Sequence, residues 1–152
     1  MKPIALTPER IRRVGRSCTC FHLRQAARAV TRVFDETLAP AGLRATQFSL
    51  MMVLAHLETA TVSELAQALI MDRTTLSRNL KPLEQGGWIR TAPGRDRRTR
   101  TLSLTARGRK ALEKALPLWE QAQNAVLKRL GKPRWSGLME HLGAAASLLN
   151  PY

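Results

Sequence analysis

The sequence predicts a mainly α-helical fold carrying one small β-hairpin, and three observations point to it. Apolar residues recur at every third or fourth position through most of the chain, as they do along amphipathic helices. One short stretch, TLSLT at 101–105, alternates instead, and it follows WIRTA at 88–92 across a charged turn, which is the pattern of a hairpin. Finally, 152 residues of which 44% are hydrophobic suffice for one compact domain with a core of its own.

Residues 1 to about 15 hold Pro3 and Pro8 and show no convincing period, so they predict an irregular arm. From Phe21, the positions Leu23, Ala27, Val30, Phe34 and Leu38 describe a first helix, ended by Pro40 and Gly42. Thr46 is placed to cap a second, TQFSLMMVLAHLE, whose apolar residues on most sides put it in the core. Ser63 caps SELAQALI, with Leu65 and Leu69 facing inward, and a tight turn leads to Asp72, which caps a helix from about Arg73 to Gln85. Leu76, Leu80 and Leu83 form its apolar stripe, Pro82 predicts a bend, and Gly86 with Gly87 stops it. Trp88 to Ala92 and TLSLT then pair around a turn that begins at Pro93 and Gly94. Thr105 caps a long helix through about Leu130, interrupted at Pro117, and Gly131 with Pro133 separates it from a last amphipathic helix ending before Pro151.

This order places the layout of a winged helix-turn-helix at about 46–105, flanked by helices at about 15–45 and 106–150, all within a single domain over 1–152. The flanking helices carry apolar stripes that need cover. Pairing with a second copy, as a homodimer, is the simplest way to supply it.

Lys and Arg outnumber Asp and Glu by 25 to 11, a formal charge of +14 that a polyanion would relieve. The longest apolar run, FSLMMVLA at 48–55, is far too short to span a bilayer, and no signal peptide is evident, so a cytoplasmic, nucleoid-associated protein with no membrane partner is expected. Between Arg73 and Lys114, twelve basic side chains face only Glu84, Asp96 and Glu113. Opposite the leucine stripe stand Arg73, Thr74, Thr75, Ser77, Arg78 and Lys81, all able to donate hydrogen bonds, which is the chemistry of a helix reading a major groove. The hairpin loop holds Arg95, Asp96, Arg97 and Arg98. A slim guanidinium suits the negative potential of a narrow minor groove, so Arg98 is expected there, with Asp96 orienting it.

These residues resemble the MarR family of bacterial transcriptional regulators. SELAQALIMDRTTLSRNLKPLEQGGWI is similar to the family's helix-turn-helix, and DRRTRTLSLTARG to its wing signature, an Asp and Arg pair followed by Leu-Thr and then Gly. The resemblance extends over about 20–149. It implies a homodimer with interlocked terminal helices, two winged lobes on successive major grooves of a pseudo-palindromic operator, and repression released by a small aromatic or oxidant effector.

Two cysteines, Cys18 and Cys20, stand at the start of the first helix. SCTCFHLRQAARAV resembles the corresponding segment of the family's peroxide-sensing branch, which implies redox sensing at Cys20 and Cys18. Burial of both thiols as small packing residues is the competing reading, and Cys18 with His22 at four-residue spacing is a weak metal pair that no further ligand completes. No cofactor and no metal is expected. The function implied is a sequence-specific regulator that binds double-stranded DNA, not an enzyme. The alternatives are a thiol-based redox enzyme, since thiol chemistry is the only catalytic chemistry the sequence offers, and a general basic nucleic-acid-associated protein.

Overall fold

A computed structural model describes residues 4–94 and 99–150. Seven α-helices and three short strands follow in order among these residues, with one turn of 3-10 helix at Ala39–Ala41: α1 (Pro8–Ser17), α2 (Thr19–Leu38), α3 (Ala45–Leu57), β1 (Thr59–Thr61), α4 (Val62–Ala68), α5 (Arg73–Gln85), β2 (Ile89–Pro93), β3 (Arg100–Leu104), α6 (Ala106–Leu130) and α7 (Lys132–Leu149). The expected class, mainly α with a small β element in a winged helix-turn-helix arrangement, is what forms.

Several boundaries differ from the sequence expectation. The N-terminal arm is not irregular throughout, because Thr7 accepts the Arg10 N–H at 3.3 Å, Pro8 opens the first turn and Glu9 sits beside the free N–H groups. Every residue of α1 is exposed, so this helix starts from its cap without a packed face. Thr46 does not cap α3. Arg44 holds the N-cap position, and its N–H donates to Gln47 Oε1 at 2.9 Å while the next N–H, of Ala45, donates to Asp35 Oδ1 of α2 at 2.7 Å. Ser63 likewise yields to Thr61, which accepts the Glu64 N–H as Glu64 reaches back to the Thr61 N–H at 2.7 Å, a reciprocal capping box. The prolines at 82 and 117 stay inside continuous helices. Both are exposed, as are Arg78 and Glu113 four residues earlier, so water can serve the carbonyls they release.

Each strand of the hairpin is shifted by one residue from its expected bounds, and the hairpin gains a partner. β3 lies between β1 and β2, antiparallel to both, with Ala60 opposite Leu102 on one side and Ile89 opposite Leu104 on the other. Leu102 and Leu104 are buried in the same core as Leu54, Leu65, Leu76, Leu80 and Leu83, and the sheet packs on the helix-turn-helix through β1 and β3 against α4 and β2 against α5. α6 runs from this sheet back along α2 and α3, and Trp119 stacks on Phe48 with ring centroids 6.3 Å apart. The far ends of α2 and α7 bury little. Among the described residues, no single helix is long and apolar enough to cross a membrane.

Candidate nucleic-acid interface

α5 is the element on which the site depends. Asp72 Oδ1 accepts the Thr75 N–H at 2.8 Å and starts the helix where the sequence placed it. Hydrogen bonds from Thr75, its side chain first and its backbone second, hold the Asp72 carboxyl below its ordinary range, so the cap is a carboxylate at neutral pH. The helix ends in paired backbone bonds, Gly87 N–H to the Glu84 carbonyl and Trp88 N–H to the Leu83 carbonyl, both 2.9 Å, with Gly87 in the left-handed region at φ 67°. Gly87, not Gly86, is the residue whose conformation requires glycine.

Buried Leu76, Leu80 and Leu83 fix the inward face, and Arg73, Thr74, Arg78 and Lys81 are left exposed. Two of the expected donors are partly committed within the helix. The Ser77 hydroxyl donates to the Arg73 carbonyl at 2.7 Å, and half-buried Thr75 receives Arg78 Nη2 at 3.3 Å. Ser77 thus offers an acceptor more readily than a proton, and Arg78 is leaned toward Thr75.

The hairpin flanks this helix. The Thr91 hydroxyl donates to the Glu84 carboxylate, Arg90 Nε donates to Ser103 Oγ across the strands at 3.1 Å, and the Gly94 N–H closes the loop root on the Thr99 carbonyl at 2.8 Å. A Cβ at position 94 would stand 2.5 Å from Thr99 Oγ1 and 3.1 Å from the Thr99 carbonyl oxygen, so any larger residue would have to turn the Thr99 side chain aside. Arg95, Asp96, Arg97 and Arg98, the expected minor-groove residues, lie outside the described residues.

The base of the hairpin is locked to α6. Thr105 Oγ1 accepts the Gly108 N–H at 3.0 Å and donates to the Gly87 carbonyl at 2.7 Å, while the Thr105 N–H reaches the Trp88 carbonyl at 3.0 Å. At Gly108 two stretches of the backbone nearly touch: a Cβ there would lie 2.0 Å from the Trp88 carbonyl oxygen. The Leu-Thr and Gly of the wing signature are therefore a core residue, a cap and a close approach.

One flank of α5 escaped the sequence reading. Asn79 and Pro82 line a cleft of about 370 Å³ together with Arg44, Thr46, Gln47 and Leu50 from the start of α3. No periodicity links position 44 to position 79; only the packing of α3 against the helix-turn-helix does.

The cysteines are not core residues. Cys18 is half-buried at the extended junction between α1 and α2, and Cys20 is exposed on the first turn of α2, because α1 leads away and that turn has nothing packed over it. His22 is hydrogen-bonded through Nε2 to the Arg16 carbonyl at 3.1 Å, and no group of three metal-ligating side chains gathers among the described residues.

Comparison with known proteins agrees with this architecture. A MarR family profile matches residues 41–99. The crystal structure of the M. tuberculosis transcriptional regulator MosR in complex with DNA superposes with a TM-score of 0.75 at 41% identity, covering 87% of this chain and 98% of that one. The organic hydroperoxide resistance transcriptional regulator of Bacillus subtilis is 32% identical over 100 residues, 65% of this chain and 68% of its own length. The HTH-type transcriptional regulator YwoH of the same organism is 31% identical over 91 residues, 60% of this chain. Matched segments cover 66% of YwoH but 47% of TtmR from Methylorubrum extorquens, so the chain spans about half to two thirds of those relatives' length. By its sequence and by its fold, the chain belongs to the MarR family.

Proposed function

We propose that this protein is a sequence-specific regulator of transcription that binds double-stranded DNA with α5 in the major groove and the hairpin tip in the adjacent minor groove. The observation that carries the reading is the face of α5: four exposed donors, three of them cationic, opposite a fully buried leucine stripe and beside a hairpin whose base is rigidly bonded to α6. The DNA complex of MosR, at 41% identity, supports it. Arg73, Thr74, Arg78 and Lys81 contact bases or phosphates, Thr75 and Ser77 position them, and Arg98, oriented by Asp96 between Arg95 and Arg97, enters the minor groove.

The protein works as a homodimer on a pseudo-palindromic operator and represses until an effector changes the spacing of its two lobes. What supports pairing is a groove of about 370 Å³ between α2, α6 and α7, walled by Leu23, Val30, Phe34, Trp135, Leu138 and Met139. A patch this apolar on a chain of formal charge +14 is ordinarily covered. The two lobes follow the same division, with about 46–105 reading DNA and the helices on either side pairing.

Selection from a library of random duplexes is the test. It recovers an inverted-repeat consensus, and Thr75→Ala or Arg78→Ala changes the bases preferred; recovery of no consensus removes sequence-specific regulation.

An oxidant is the effector favoured by a specific observation, the exposure of the Cys20 thiol, and the name of the B. subtilis relative points the same way. Organic hydroperoxide oxidises that thiol to a sulfenic acid and leaves as an alcohol. Peroxide then releases wild-type protein from the selected duplex and not Cys20→Ser; equal release of both, or of neither, rejects it. A small aromatic acid is the other effector class, distinguished in the same assay by release without peroxide.

A further inference from the structure

We infer that Arg44, with Thr46 and Gln47 beside it, holds the sugar-phosphate backbone at the groove edge that lies across α5 from the hairpin. This rests on the DNA-binding reading above and adds to it a contact outside the helix-turn-helix and its wing.

α5 has two flanks as well as an inner and an outer face. At 3.6 residues per turn, with Leu76, Leu80 and Leu83 inward, Glu84 falls on one flank and Thr75, Asn79 and Pro82 on the other. The first flank meets the hairpin, through the hydrogen bond between Glu84 and Thr91. The second faces the start of α3, where Arg44, Thr46 and Gln47 complete the cleft with Asn79. A cation on a long side chain thus stands opposite the hairpin with the reading helix between them.

A helix lying in a major groove has a phosphate strand along each edge. The hairpin serves one edge, and the residues named on α5 serve the bases; the other edge is left to whatever lines the second flank. The cleft there offers a guanidinium, a hydroxyl and two carboxamides, and no acid is among its lining residues. That set donates hydrogen bonds to a phosphate and would suit few other partners. Arg44 is exposed but rooted, since its own N–H is bonded to Gln47 and the following one to Asp35 of α2. The side chain therefore reaches from a fixed base, as a register-setting contact must. Arg78 leans onto Thr75 on this same flank, which carries positive charge from α5 toward the cleft.

The test is fluorescence anisotropy of the full chain on a labelled random-sequence duplex at several KCl concentrations, comparing Arg44→Ala, Arg44→Lys and Arg129→Ala. Arg129 is an exposed cation in the last turn of α6, roughly 35 Å along that helix from the hairpin base, and it controls for net charge. Arg44→Ala is expected to lower the slope of log K against log salt by about 1 for each protomer bound, with weaker binding throughout. Arg44→Lys keeps the slope, as does Arg129→Ala. A slope for Arg44→Ala equal to that of Arg129→Ala overturns the inference while wild-type binding leaves the DNA reading standing; absence of wild-type binding at every salt concentration overturns both. Equal melting temperatures of wild type, Arg44→Ala and Arg44→Lys confirm that the comparison is made between folded proteins.

Discussion

At single residues, local backbone chemistry decides more than side-chain type. Ile70, in the turn between α4 and α5, has φ 50° and is 46% exposed, a left-handed conformation that a β-branched residue adopts at a cost. Ile70→Asn is expected to stabilise the protein by about 1 kcal/mol, read as a rise in the urea midpoint, because Asn tolerates that region. A fall in the midpoint would mean that the half of the side chain in contact outweighs the strain. Asp72 supplies a pH-dependent prediction. Its carboxyl titrates lower in the folded protein than in the unfolded chain, so the stability it contributes is complete above the unfolded value and disappears as pH falls through the lower folded value. Asp72→Asn therefore melts below wild type at neutral pH, and the gap narrows as the solution is acidified. A gap that is constant with pH contradicts the role of the charge.

At the scale of elements, the joints matter more than the helices they join. Thr105 and Gly108 fasten the hairpin to α6 by one hydroxyl that both accepts and donates and by a contact that leaves no room for a methyl group. Gly108→Ala must push two stretches of backbone apart, and a loss of about 3 kcal/mol in chemical denaturation is expected. An unchanged midpoint would show that the close approach is relieved without cost. The capping pattern explains much of what could be read from the chain. Asp72, Thr105 and the glycine pair at 86–87 act on N–H and carbonyl groups within a few residues, so their spacing carried the answer. The caps of α3 and α4 were displaced for two different reasons. Thr61 and Glu64 form a local box whose three-residue spacing competes with the cap that Ser63 offers, and the box is what forms. The start of α3 depends on Asp35, ten residues away on another helix, which no local pattern reveals.

For the molecule as a whole, the apolar surface left uncovered on α2 and α7 sets the expectation of pairing. Phe21, Leu23, Val30, Met139, Leu142, Leu148 and Leu149 are all exposed in the single chain. Sedimentation equilibrium at micromolar concentration is expected to give a dimer for wild type and a monomer for the Met139→Glu, Leu142→Glu double variant, with weaker DNA binding in the latter. A wild-type monomer removes the dimer and with it the two-site geometry on DNA.

Helical periodicity, α5 with its leucine stripe, and the hairpin with its Leu-Thr and Gly were all legible in one dimension, because each follows from bonds or burial between residues close in sequence. The third strand, the exposure of Cys20 beside half-buried Cys18, and the cleft that brings Arg44 to Asn79 were not. Each depends on which distant surfaces come to face one another, Ala60 against Leu102 or the start of α3 against the flank of α5, and that choice belongs to the packing of the core.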